Sequence, residues 1–232
     1  MDHDRPEPVP AATALVRERF PAARWAIVTG SVLTPARTPY SDLDVYVVLP
    51  DGEPARYRES FRWQGWPVEL FVNNAASIAD FLARELAERR PVTATMVATG
   101  TPLLDGDGSF ADIRAECERQ LAAGPAPLTT AELDLWRYGV TDQLDDLAGS
   151  TDPDESAMIA LHLVRDAAGL ALAAAGHWQA NGKWLYRGLR AADPDLAARL
   201  LGARDDKDQL SGVVREILDR VGGPLWTGFR IG

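Results

Sequence analysis

The rhythm of hydrophobic and polar positions changes about half-way along the chain. In the first half, short apolar runs stand between polar breaks marked by Pro and Gly. Arg24 to Thr29 (RWAIVT), Leu43 to Leu49 (LDVYVVL) and Val68 to Val72 (VELFV) are dense in β-branched and aromatic residues, and each predicts a buried strand. The Trp- and Arg-rich stretch around Gly65, between the last two runs, reads as irregular or as a hairpin. A short amphipathic helix is expected over 11–19, stopped by Pro21. Further helices are expected near 77–88 with Ser77 as cap, over 91–99 up to Gly100, and over 109–122 with Ser109 as cap. Residues 1–10 are Pro-rich and charged and read as a flexible arm.

Gly124-Pro-Ala-Pro-Leu128 is the best linker, and past it no strand is expected. Thr130 caps a helix with Leu133, Trp136, Val140, Leu144 and Leu147 on one stripe. A second helix starts at Asp154 and ends at Gly176, Asp193-Pro194 carries the signature of a helix start, and Gly222-Gly223-Pro224 stops a last one. The fold class is therefore α+β: an arm over 1–10, a sheet-containing domain over 11–124 and a helical bundle over 129–232.

Composition narrows the function classes. With 232 residues, 46% hydrophobic and 25% charged, the chain can bury a sizeable core. Its net charge of -10 opposes nucleic acid and anionic membranes, so no DNA and no membrane partner is expected. Cys117, the only cysteine, falls on an apolar helix face with Ile113 and Leu121 and reads as a core thiol. The polar start MDHDRPEPVP does not resemble a signal peptide, and the apolar stretch Gly169 to Gly176 is too short to span a bilayer. A cytoplasmic protein is expected.

The chemistry concentrates around three acidic residues. Gly30-Ser31 is followed, after ten residues, by Asp42-Leu43-Asp44. Alternation along a strand puts Asp42 and Asp44 on one face, about 7 Å apart at Cα. Two such carboxylates repel, and a divalent cation between them relieves the repulsion. Oxygen-only ligation suits Mg²⁺, which takes one or two carboxylates plus phosphate oxygens. Glu69 interrupts the apolar run Val68, Leu70, Phe71, Val72, where a charge is costly unless paired or metal-bound. Gly30 permits close backbone approach, and Ser31 offers a hydroxyl and an N–H to a phosphate oxygen.

This ordered set resembles the polymerase-β-type nucleotidyltransferase superfamily over roughly residues 24–73, and is most similar to small bacterial members such as the aminoglycoside adenylyltransferases. The resemblance implies a mixed sheet with helices on one face and the carboxylates on the other. It implies two Mg²⁺ ions held by Asp42 and Asp44, with Glu69 completing a site or acting as base. It also implies an NTP co-substrate, ATP first, whose contacts are Gly30, Ser31, Arg37, Ser41 and the Lys183 of Gly-Lys-Trp-Leu at 182–185. The loop VLTPARTPY lacks the small residue and Arg-Gly of many relatives, and Arg37 stands in for that arginine. The implied reaction moves an NMP to a hydroxyl of a small molecule. Glu132, Asp134, Asp142, Asp145 and Asp146 add an acidic helix face that suits an aminoglycoside-like cation. The alternatives are a minimal, antitoxin-like nucleotidyltransferase acting on protein or RNA, and a non-catalytic nucleotide-binding module. His162 and Asp166, four apart on one helix, are a further pair that faces either a cleft or a structural partner.

Overall fold

Among the described residues, 5–231 of a computed structural model, every strand precedes residue 106. The strands are β1 (Trp25–Thr29), β2 (Leu43–Val48), β3 (Tyr57–Trp63), β4 (Trp66–Asn73) and β5 (Thr101–Asp105). They form one sheet in the order β3-β4-β2-β1-β5. β2 and β4 run parallel, and the other three pairings are antiparallel, so the sheet is mixed. Gln64 and Gly65, at φ 46° and 82°, turn β3 into β4. Two consecutive positive φ values match the twist that a two-residue hairpin needs. The stretch around Gly65 is thus a hairpin, and β3 is the sheet's edge.

The sheet is covered on both faces, which adds a layer to the one-sided arrangement that the resemblance implies. α1 (Pro8–Arg19) packs Ala12, Leu15 and Val16 against Val28, Leu43, Val45, Leu70 and Val72 on one face. Its first turn takes Pro8, where the missing N–H costs nothing. The arm expected over 1–10 therefore stops short of Pro8, and its residues 1–4 lie outside the described ones. On the other face Trp25, Ile27, Tyr46 and Val48 meet α2 (Ala75–Ala87), α3 (Val92–Thr99) and α4 (Phe110–Ala123) through Ile78, Leu82, Val97 and Phe110. Each fully buried Leu or Ile on these faces contributes about 1.5–3 kcal/mol. Cys117 belongs to this second core, with no exposure, and burial pushes its thiol up to about 11. Asn74, rather than Ser77, is the N-cap of α2, and the two residues form a reciprocal capping box.

The chain divides between Ala123 and Gly124 into two compact units. The second is helical: α5 (Thr130–Gly149), α6 (Pro153–Ala174), α7 (Lys183–Ala192), α8 (Pro194–Gly202) and α9 (Lys207–Asp219). α5 is capped one residue earlier than expected, by Thr129 with Glu132. α6 is longer than the apolar stretch 169–176 and is apolar enough by composition to cross a membrane. Its Leu163, Ala167, Leu170 and Leu172 are instead buried in the core of this unit, against Leu144, Leu189, Leu196 and Leu210. α7 and β5 are elements that the hydrophobic pattern did not foretell, and β3 was offered only as one arm of a hairpin.

Candidate metal and nucleotide site

The register of the sheet lines up one row of side chains across four strands. Thr29 on β1 is opposite Asp44 on β2, Asp44 is opposite Glu69 on β4, and Glu69 is opposite Ser60 on β3. Strand spacing sets the Cα atoms of Asp44 and Glu69 about 4.8 Å apart. Asp42 lies two residues before Asp44, just ahead of β2, and so joins the same face. Oxygens of Asp42, Asp44 and Glu69 all fall within 4.8 Å of one another, and each residue is partly exposed. Oxygens around one Mg²⁺ at about 2.1 Å lie at most about 4.2 Å apart. The three carboxylates thus come close enough to share a hard divalent cation once their side chains draw inward.

The row lies on the α2–α4 face, not opposite the helices. Leu43 and Val45 alternate with Asp44 and point to α1, while Tyr46 and Phe71 follow Asp44 and Glu69 on their own face. Glu69 also receives an ion pair from Arg58 of β3, whose guanidinium stacks over Phe71 at 4.7 Å. The pattern did not single out Arg58. Its signal was available only once 57–63 is read as a strand, since Arg58 and Ser60 then share the carboxylate face.

Gly30 explains the first half of the motif. It has φ 92° and ψ -171°, a region essentially restricted to glycine. A Cβ there would lie 2.1 Å from Asp44 Oδ2. The missing side chain is the space that the Asp44 carboxylate occupies. Ser31 is buried at the start of a short 3-10 turn, and its Oγ is 3.3 Å from Ser41 Oγ. Ser41 Oγ also accepts from Thr38 N at 3.0 Å, so the buried Ser41 pins the 30–42 loop from inside.

One expected contact is placed elsewhere. Arg37 pairs with Glu7 at 3.4 Å and lies 5.1 Å over Trp66, which belongs to the α1 side of the sheet. It is not gathered with the carboxylates. Lys183 begins α7 in the second unit and is exposed, a helix position rather than a loop. Asp166 accepts from Gln143 Nε2 and Arg165 Nε, each at 2.8 Å, while His162 is exposed. That assigns Asp166 to structure.

No protein-family model and no curated protein matches the chain. Among solved structures it is similar to a nucleotidyltransferase-like protein from Exiguobacterium sibiricum 255-15, at 14% identity over 92% of this chain and 73% of that one, with a TM-score of 0.47. That likeness is too distant to decide what this chain does, and the chemistry is read from its own residues.

Proposed function

We propose that the chain is a Mg²⁺-dependent nucleotidyltransferase that moves a nucleoside monophosphate, AMP first, from an NTP to a hydroxyl of a small molecule. The observation that supports this most directly is the convergence of Asp42, Asp44 and Glu69 beside a glycine whose Cβ would collide with Asp44. In the reaction the acceptor oxygen bonds to the α-phosphorus as the bond to the bridging oxygen of pyrophosphate breaks. When bound, Mg²⁺ on the three carboxylates supplies charge neutralisation at the attacking and leaving oxygens. Ser31 offers its hydroxyl to a phosphate oxygen, and the backbone of Gly30 lets that phosphate approach closely. Glu69 lies at the far side of the row from Gly30, which supports a role in completing the metal site or in taking the acceptor proton.

The test is pyrophosphate release by the full chain with each NTP, with and without Mg²⁺, alongside Mn²⁺ binding as a readout independent of turnover. Asp44→Asn should lower both by a hundredfold or more while circular dichroism stays unchanged. Turnover and Mn²⁺ affinity within tenfold of wild type would sink the proposal.

A further inference from the structure

One groove of the first unit lies beside the carboxylates and takes no part in the account above. It has a volume of about 400 Å³ and opens between the sheet and helices α2 and α3. Its floor is Tyr46 and Phe71, with Phe81 and Met96 as apolar walls, and Arg56 and Arg58 stand along one side. Tyr46 and Phe71 stand two residues beyond Asp44 and Glu69 on the same face, about 7 Å along the strands. Resting on the transferase reading, we propose that this groove holds the acceptor, and that the acceptor is an anion: a small hydroxyl compound with an aromatic or apolar body and a carboxylate or phosphate group.

Three features of the groove point there. The first is position. β1 ends at Thr29, level with Asp44, and runs antiparallel to β2 into Gly30-Ser31, while the groove lies two residues further along β2 and β4 and extends to Arg56 and Arg58, so the two lie on different sides of the carboxylates. In-line displacement needs the acceptor and the leaving group on opposite sides of the phosphorus. With pyrophosphate toward Ser31, the acceptor comes from the β3–β4 side.

The second is charge. Arg56 pairs with Asp80 at 3.3 Å, with both side chains more than half exposed, which is a weak and replaceable contact. Arg58 is held by Glu69, the same carboxylate a metal ion would claim. Metal binding therefore releases guanidinium donors toward the groove. Glu85 also lines it and keeps its negative charge while accepting from Thr93 N at 2.6 Å and from Thr93 Oγ1 at 3.1 Å. The side that Arg56 and Arg58 form is the positive one and takes the anion, opposite in sign to what the acidic face of α5 would take.

The third is an open polar atom. Tyr46 is 2% exposed, and its hydroxyl lies beside Thr93 without completing a hydrogen bond. A buried hydroxyl left so is costly, and a small shift of the Thr93 wall that admits a polar ligand group would satisfy it.

The probes are 4-hydroxyphenylacetate, its amide and tyramine, which share ring and hydroxyl and differ in charge. Binding is measured by calorimetry on the full-length wild-type protein with saturating Mg²⁺ and no nucleotide, so that it does not depend on turnover. The carboxylate should bind tenfold or more tighter than the other two. Arg56→Met and Arg58→Met should abolish that preference, and Tyr46→Phe should weaken binding several-fold with an unchanged circular dichroism spectrum. Equal binding of the amide, no binding of any probe, or a preference intact in both arginine variants overturns the groove assignment. With wild type, ATP and Mg²⁺, the carboxylate should stimulate pyrophosphate release most. Selective binding without any pyrophosphate release would overturn the transferase reading and leave the anion groove standing.

Discussion

Replacing Gly30 with alanine tests the link between backbone and carboxylate. Two costs are expected, and they can be separated. The first is conformational: φ 92° with ψ -171° is a glycine region, and a side chain held there costs about 1–3 kcal/mol. The second is a collision. The new Cβ would lie 2.1 Å from Asp44 Oδ2 and 3.2 Å from Asp44 Cγ, whereas real Cβ contacts stay at 3.0 Å or beyond. Asp44 must retreat by about 1 Å, and a misplacement of that size costs on the order of 10²-fold in rate. That is about 2.7 kcal/mol of transition-state stabilisation. Gly52→Ala is the control, because Gly52 has φ +94° with nothing within 4 Å of its Cβ position. Urea denaturation should show both variants destabilised. Only Gly30→Ala should lose Mn²⁺ affinity and Mg²⁺-dependent pyrophosphate release. If Gly30→Ala keeps both within threefold while unfolding like the control, the glycine serves the loop alone and the metal site does not depend on it.

Cys117, buried and with its thiol pushed up to about 11, should resist iodoacetamide at pH 8 in the native protein and react once urea unfolds it, as read by mass spectrometry. The Ser109 hydroxyl, then the Arg24 guanidinium, hold the Asp107 carboxyl down at about 2 from 3.8. A lowered folded-state value means a contribution present above pH 4 and lost as pH falls through 2, so Ser109→Ala should be less stable than wild type at pH 5 and indistinguishable at pH 2. Asp42→Asn should raise the melting temperature of the metal-free protein by a few degrees, about what 1 kcal/mol of relieved repulsion gives in a chain of this size, and lower it relative to wild type when Mg²⁺ is saturating.

Where the sequence pattern succeeded and failed follows from what each signal depends on. β1, β2 and β4 are central strands buried on both faces, so their apolar runs are continuous and legible. β3 is an edge whose residues alternate exposed and partly buried, and β5 is a five-residue edge containing Pro102, so neither shows the density that marks a strand. α7 was hidden for a different reason: its apolar positions Leu185 and Leu189 sit among exposed Trp184, Tyr186 and arginines, a narrow stripe on a short helix. For the candidate site, strand periodicity was enough to set Asp42 and Asp44 on one face, while Glu69 joins them through the pairing of β4 with β2, which the resemblance implied. Arg58 and the groove depend on which strands become neighbours. That is decided by the β3–β4 hairpin docking beside β2, and no local spacing encodes it.

That docking also changes how the carboxylates should be regarded. Three acidic oxygens within 4.8 Å oppose folding, since two unit charges 4 Å apart at an effective dielectric of 20 repel by about 4 kcal/mol. A sheet that only had to fold would place apolar or paired side chains there, as it does one residue either way at Leu43, Val45, Val68 and Leu70. Arg58 offsets part of the repulsion at Glu69. It does so from an exposed edge strand, where an ion pair gains little. On the proposed reading a divalent cation compensates further, and in drawing on Glu69 it loosens Arg58 toward the groove. One binding event then completes the metal site and prepares the acceptor site. On this view the order of addition follows from the electrostatics: metal and nucleotide first, the anionic acceptor second.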